Sequence, residues 1–261
     1  MHAFKLISTF LKVNLQMSFA YRVDTLINIL LNLFWLGWEL ITLQIIFSNT
    51  TTLGGWSFGD MIVLLAVFKM INLLMAALIW PNTERFNTSV RDGSLDYMLL
   101  QPVSSLFLVS FSRITIWRLW DLVLSVILMI VGINLSGVAI TPGQFAVFLL
   151  LLASGGVVLF SLWIVLIALT FWFTKFDNNV TILQALLDAG RYPASVYPYW
   201  LRALITYIVP IALATTIPVQ ALRGELGVGP VALYLAVAAA AFLIARQGWH
   251  AGVRRYSGAS S

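Results

Sequence analysis

Six apolar stretches, each about twenty residues or longer, divide the chain, and polar residues gather between them. They lie at about 25–47, 59–80, 105–133, 143–173, 199–222 and 230–248. A bilayer core of about 30 Å takes about 20 apolar helical residues to cross. Helices are required because lipid offers backbone N–H and C=O groups no partner. The pattern therefore predicts an all-α integral membrane protein, with six transmembrane helices in one domain over residues 1–261. The third and fourth runs are long enough to extend past the bilayer, and Pro210 and Pro218 interrupt the fifth. Ahead of the first run, Phe4, Ile7, Leu11 and Leu15 recur at helical spacing, while Lys5, Ser8, Lys12 and Gln16 mark another face. This predicts an N-terminal interfacial helix over about 2–18, lying along the membrane with its lysines at the head groups; the alternative is an extension of the first span.

Hydrophobic residues make up 61% of the 261 and charged residues only 10%, against about 25% charged in a soluble domain. That is too little charge for a hydrated surface, so lipid is the expected solvent. The net charge of +5 does not point to nucleic acid. The basic residues are scattered and flank the apolar runs, where they suit anionic membrane lipid. Their placement also orients the chain. With the N-terminus inside, Lys5, Lys12, Arg22, Arg85, Arg91, Lys175, Arg191, Arg246, Arg254 and Arg255 all fall inside, and Arg113, Arg118 and Arg202 sit near the inner ends of their spans. Arg223 alone falls outside, and Lys69 falls within a span. Both termini are expected in the cytoplasm. The N-terminus lacks a short apolar run ending in a small-residue cleavage site, so no removable signal peptide is expected.

Catalytic chemistry is not expected of this chain. There is no cysteine, which excludes disulfides and thiolate metal sites. His2 and His250 lie near opposite ends of the chain, no zinc signature occurs, and no Gly-x-x-x-x-Gly-Lys-Ser/Thr loop is present to cradle a nucleotide. Lys69 is the sharpest polar feature, because a charge within a span is costly and turns towards a partner or a wet cavity. Glu39 on the first span is its expected partner. Counting ~1.5 Å per residue from Asp24 and Asp60 as membrane boundaries, the two differ in height by ~6 Å in a core of about 30 Å. Either the pair gates a substrate path, or it locks spans one and two together, since buried charges are tolerable once paired. Asp121 on the third span is the other possible partner. Arg118 and Asp121, three apart, share a helical face; with Arg113 they form a second polar group or a snorkelling helix end.

Tyr192, Tyr197, Tyr199 and Trp200 suit an interfacial aromatic belt. Pro210 and Pro218 each remove a helix hydrogen bond, which leaves either a broken helix of the kind that lines transport paths or a simple kink. Two inner loops carry helices of their own. In residues 81–102, Pro81 suits a first helical turn and Gly93 a left-handed helix end. This predicts a short cytoplasmic helix over about 82–92, then an apolar stretch closed by Pro102. Between spans four and five, Asp177 or Asn178 caps a helix with Val180, Leu183, Leu186 and Leu187 on one side, and Arg191-Tyr192-Pro193 breaks it.

The loop Arg91-Asp92-Gly93-Ser94-Leu95-Asp96-Tyr97-Met98-Leu99-Leu100-Gln101-Pro102 resembles a Gly-x-Leu-Asp-x-x-Leu-x-x-Pro pattern found in the membrane subunits of ABC-2-type ATP-binding-cassette transporters. Arg191-Tyr192-Pro193, Ile208-Val209-Pro210 and Ile217-Pro218 look like a second signature of that group, in its bacterial branch of permeases of about this length. The resemblance implies a permease in the bacterial inner (cell) membrane, exporting an amphipathic or lipid-like substrate. It implies pairing with a second permease subunit, identical or related, and docking on a cytoplasmic ABC ATPase dimer. ATP and Mg would sit on that partner, and this chain would bind no cofactor. By the same resemblance Glu84, Arg85, Arg91, Asp92, Gly93, Leu95, Asp96 and Pro102 form an ATPase-coupling loop. The group also has outer-leaflet half-helices between spans five and six, which here must include the Pro218 region or be absent. Three other readings stay open: a substrate-binding subunit for vitamin uptake, a membrane enzyme such as a lipid transferase, and a structural membrane protein.

Overall fold

A computed structural model describes residues 22–115, 118–173, 179–208 and 210–256. The expected interfacial helix over 2–18, and Lys175, Asp177 and Asn178, lie outside the described residues. The regular structure among the described residues is helical. In chain order the helices are α1 (Arg22–Ser48), α2 (Phe58–Leu74), α3 (Trp80–Asp92), α4 (Leu95–Leu99), α5 (Ser105–Phe111), α6 (Leu119–Ser136), α7 (Pro142–Leu169), α8 (Asn179–Asp188), α9 (Tyr199–Ala203), α10 (Thr216–Leu222) and α11 (Val228–Arg255). Four stretches are long and apolar enough to cross a bilayer: Leu26–Ser48, Phe58–Asp92, Pro142–Phe171 and Val228–Arg255. A bent pair, Tyr199–Thr206 and Ile211–Leu222, makes a fifth if it counts as one span.

The core forms around α2, whose residues from Gly59 to Phe68 are all buried. Helix α6 lies against it so closely that a Cβ on Gly132 would fall 2.7 Å from the Val63 backbone nitrogen. Small residues permit such backbone approach where no water drives helices together. Helix α11 packs along α7. Helix α1 stands apart; Leu36, Leu40, Leu43 and Phe47 touch the core, while Leu30, Phe34 and Trp38 are about 60% exposed, as lipid-facing residues are.

The run read as 105–133 is divided into α5 and α6, with a non-helical segment starting at Ser112. The second span, in contrast, does not stop at residue 80. Through one π-helical turn, Met75–Ile79, α2 continues into α3. The expected short helix over 82–92 is thus the distal part of a continuous 35-residue stretch, ~52 Å long at ~1.5 Å per residue. A bilayer core takes about 30 Å of that, so ~20 Å projects beyond it. Pro81 accounts for the wide turn. It has no N–H to give the Ala77 carbonyl four residues back, and the Thr115 N–H donates to that carbonyl instead, at 2.8 Å. Asn82 ties the same junction together. Its Nδ2 donates to the Leu78 and Arg113 carbonyls at 2.6 and 2.7 Å, and its Oδ1 accepts from the Arg113 N–H and the Ser112 hydroxyl at 2.9 and 3.1 Å.

The two prolines of the fifth run have different outcomes. Pro210 sits at the break between the two pieces, which meet at 69°. Pro218 falls in the first turn of α10, where its absent N–H has no intrahelical partner to lose. The interrupted fifth run, 199–222, is therefore a broken element rather than a simple kink. Its turn is held at mid-helix depth of α7, since a Cβ on Gly155 would lie 2.4 Å from Ala214 Cα. Its last residues return to the end of the bundle that holds Asp60, because Arg223 lies 3.8 Å from the Asp60 carboxylate.

Candidate functional site

Glu39 and Lys69 meet as their helical heights require. Lys69 Nζ lies 2.6 Å from Glu39 Oε2, and both side chains are largely buried. The contact joins α1 to α2 at a depth where a lone charge would be expensive. Arg191 joins them, with Nη1 3.5 Å from Glu39 Oε1, Nη2 3.4 Å from Asp188, and its guanidinium 5.2 Å from the Phe68 ring centroid. Asp121 is not the partner of Lys69; it pairs with Arg118 at 3.6 Å, one helical turn away. The two ion groups still share one cleft of about 160 Å³, lined by Asn32 and Glu39 of α1, Lys69 and Asn72 of α2, Arg118, Asp121 and Ser125 beside or on α6, and Arg191.

Arg191 is the site residue that sequence reasoning placed elsewhere. It was expected in an inner loop, yet it lies beside the middle of α2. The next residues explain the shift. The Ser195 hydroxyl donates to the Gly54 carbonyl at 2.8 Å, in the turn between α1 and α2. Phe171, before α8, packs instead on Phe86 and Trp249 at the far end of the bundle. The chain therefore changes ends between residues 171 and 195, and α8 with the Ala189–Arg191 turn lies along that path. Fully buried Leu183 and Leu187 are the apolar side of α8 turned into the core rather than onto a loop surface. The available signal was the four-residue spacing of those leucines beside an arginine-tyrosine-proline break.

The second candidate region is the projecting end of α3. Gly93 adopts φ 76°, ψ 0°, a left-handed corner that L side chains resist. The Asp92 carboxylate accepts from the Ser94 N–H at 2.9 Å and so braces the turn. Leu95 is fully buried, while Tyr97 and Leu100 are 75% and 82% exposed. Glu84, Arg85, Asp92, Tyr97 and Arg113 line a polar cleft alongside, of about 630 Å³. Arg91 and Pro102 lie at the surface. Asp96 lies near Tyr256, just after α11. Burial first, and the Asp96 carboxylate second, push the Tyr256 hydroxyl above its ordinary pKa.

The base of this projection is anchored by residues that sequence reading did not single out. Trp163 Nε1 donates to the Thr83 hydroxyl at 2.6 Å, and Trp249 Nε1 to the Ser105 hydroxyl at 3.2 Å. Phe86, Phe171, Trp249 and Tyr256 pack ring against ring. Helix α3 is therefore tied to α7 and α11 by hydrogen bonds and ring contacts.

Among the described residues no group of three His, Asp or Glu side chains could hold a metal ion. The chemistry on offer is electrostatic: a mixed-charge cleft in the apolar part of the bundle, and a rigid corner outside it. No match was found among curated proteins or among solved structures. A family model described as ABC-2 family transporter protein matches residues 33–260. That range takes in the cleft, the Gly93 corner and the bent element, and the chain belongs to the ABC-2 family of transporter proteins.

Proposed function

We propose that this chain is the permease subunit of an ATP-driven exporter of amphipathic or lipid-like molecules, with ATP hydrolysed by a separate cytoplasmic ATPase. The observation that carries this reading is the 35-residue Phe58–Asp92 stretch. It joins a span in the core to an exposed corner ~20 Å beyond the bilayer, with Tyr97 and Leu100 bare at its tip. A stiff rod of this kind converts a push on the corner into movement of α2, which carries Lys69.

In this reading the chain makes six crossings, formed by α1, α2, α6, α7, the segment from α8 to Ser195, and α11. The bent pair between Tyr199 and Leu222 enters and leaves on the outer side, as a half-helix pair. Both termini and the Gly93 corner face the cytoplasm of a bacterial cell, and two permease chains stand on two ATPases. Arg223, 4.9 Å from the Trp56 ring centroid, then marks the outer boundary.

The test is purification of the full chain in mild detergent from its native membrane, with partners identified by mass. An ATPase carrying a nucleotide-binding loop is expected, and substitution of Tyr97 or Leu100 by Asp should release it. If no ATPase is retained and the Gly93 and Asp96 variants transport normally, the reading is wrong.

A further inference from the structure

Two cavities lie end to end beside α1 and α2. The inner one, towards α3, is the cleft of about 160 Å³ that holds the ion groups. The outer one, of about 220 Å³, is lined by Trp38, Thr42 and Leu43 of α1, Met61 and Leu65 of α2, and Tyr192. Glu39 and Arg191 border both cavities, and they touch each other at 3.5 Å. Their contact therefore stands where one cavity ends and the other begins. The order along the helices agrees. On α1 the inner cavity reaches back to Asn32 and the outer one forward to Leu43; on the Phe58–Asp92 stretch the outer cavity starts at Met61 and the inner one ends at Trp80. From Met61 to Trp80 is ~28 Å at ~1.5 Å per residue, close to the whole of a bilayer core of about 30 Å.

Each cavity is large and polar enough to take several waters, since a water occupies about 30 Å³ in the liquid. Asn32, Asn72 and Ser125 line the inner one, and so does Trp80, whose buried indole N–H has no acceptor among the described residues. Thr42 and Tyr192 line the outer one. A lock between two spans needs no cavity on either side of it. The charges at the boundary are matched, and the way they pair makes the boundary cheap to open. Lys69 holds Glu39 at 2.6 Å, and Arg191 holds Asp188, three residues back on its own segment, at 3.4 Å. Parting Glu39 from Arg191 therefore leaves each with another partner, and the stranded charge that makes a buried pair costly to break does not arise. Lys69 borders the inner cavity alone, so its contact with Glu39 divides nothing.

We propose that these cavities are the two halves of the path taken by the polar part of the transported molecule, and that the Glu39–Arg191 contact is the gate between them. The assignment rests on the transporter reading and deepens it by naming the route and the residues that close it. Glu39, anchored by Lys69, is one leaf of the gate, and Arg191 is the other. Gly190 beside it packs on the bent element, where a Cβ would lie 2.8 Å from the Ile211 side chain and 3.1 Å from that of Thr215. The arginine leaf thus belongs with the bent element and the glutamate leaf with α1 and α2. Trp38 lines the outer cavity and is about 60% exposed, so an apolar tail can stay in the bilayer while the polar part passes.

The chain has no cysteine, so a single introduced cysteine reports one cavity. Asn72→Cys marks the inner cavity and Thr42→Cys the outer one; each native side chain bonds a carbonyl of its own helix, at 3.1 and 2.9 Å. The full chain is labelled with a membrane-impermeant thiosulfonate reagent in right-side-out and in inside-out membrane vesicles. The Thr42→Cys variant should react from the outer face and the Asn72→Cys variant from the inner face, each slowly from the other. Adding Arg191→Gln should speed labelling of the Asn72→Cys variant from the outer face by about fivefold, the equivalent of one net polar contact. Adding Lys69→Met should leave it near its starting rate, although that contact is the shorter one. The gate is overturned if Arg191→Gln changes nothing, or if Lys69→Met opens the path as much. It is also overturned if either cysteine reacts equally from both faces with Arg191 in place, or fails to react from its own face. That sidedness decides the matter if the Arg191→Gln variant does not fold. Labelling needs neither ATPase nor substrate. A negative result therefore leaves the transporter reading standing, and absence of an ATPase partner leaves the sided labelling standing.

Discussion

Lys69 and Arg191 act as two holders of one carboxylate, and this redundancy sets a quantitative expectation. With an effective dielectric of about 20, the gross attraction to Glu39 is about 6 kcal/mol for Lys69 at 2.6 Å and about 5 kcal/mol for Arg191 at 3.5 Å. Either cation alone keeps Glu39 paired. Lys69→Met and Arg191→Gln should each cost only about 1 kcal/mol, the net worth of one polar contact. Arg191→Gln should be the milder, because its side chain is 40% exposed and water screens it more. The double variant strands the carboxylate, and an uncompensated buried charge costs about 3–5 kcal/mol. The two changes should therefore be more damaging together than their sum, by about 1–3 kcal/mol, within the range seen for residues sharing one partner. Adding Glu39→Gln to the double variant removes the stranded charge and should recover most of the loss. The assay is the unfolding midpoint of each purified variant in the same mild detergent. Strictly additive midpoints, or no recovery with Glu39→Gln, would refute the shared-carboxylate account.

Three further expectations follow from single contacts. Gly93→Ala should lower ATP-driven transport while leaving membrane insertion intact, since a left-handed residue with a Cβ costs about 1–2 kcal/mol, and Gly93→Asn should retain more activity than Gly93→Ala in the same vesicle assay because Asn tolerates that conformation better. Gly155→Ala should destabilise by about 1–3 kcal/mol or more, because the added methyl meets Ala214 Cα at 2.4 Å and the Leu213 carbonyl oxygen at 2.8 Å; an unchanged unfolding midpoint would show that the bent element does not sit there. Asn82→Ala leaves four hydrogen-bonding groups around the Pro81 turn without their partner and should lower the midpoint by about 1–3 kcal/mol, with proteolysis near Ser112 rising in parallel.

Much of the molecule was legible in the chain alone, and the reason differs from case to case. Membrane class follows from charge content, because lipid tolerates what water does not. The Glu39–Lys69 contact was legible because helical rise fixes the height of every residue on a span, and two opposite charges at one height in lipid have strong reason to meet. Gly93 as a helix end was legible because its sequence neighbours and its backbone freedom are local properties.

Tertiary structure decided the rest. Arg191 and the leucines of α8 have an amphipathic pattern that suits a loop helix and a buried one equally well. The choice fell to the bundle, where Arg191 reaches Glu39 and Gly54 receives the Ser195 hydroxyl. The length of the α2–α3 rod was hidden by Pro81, which reads as a helix start in sequence; Thr115, 38 residues away in the chain number and 2.8 Å away in space, takes over the carbonyl that proline leaves. The bend at Pro210 likewise depends on Gly155 of another helix. Sequence fixes the heights and the charges because those are properties of one helix in lipid. Which helices stand beside one another, and hence which cations share a cleft, is settled only when the backbones pack.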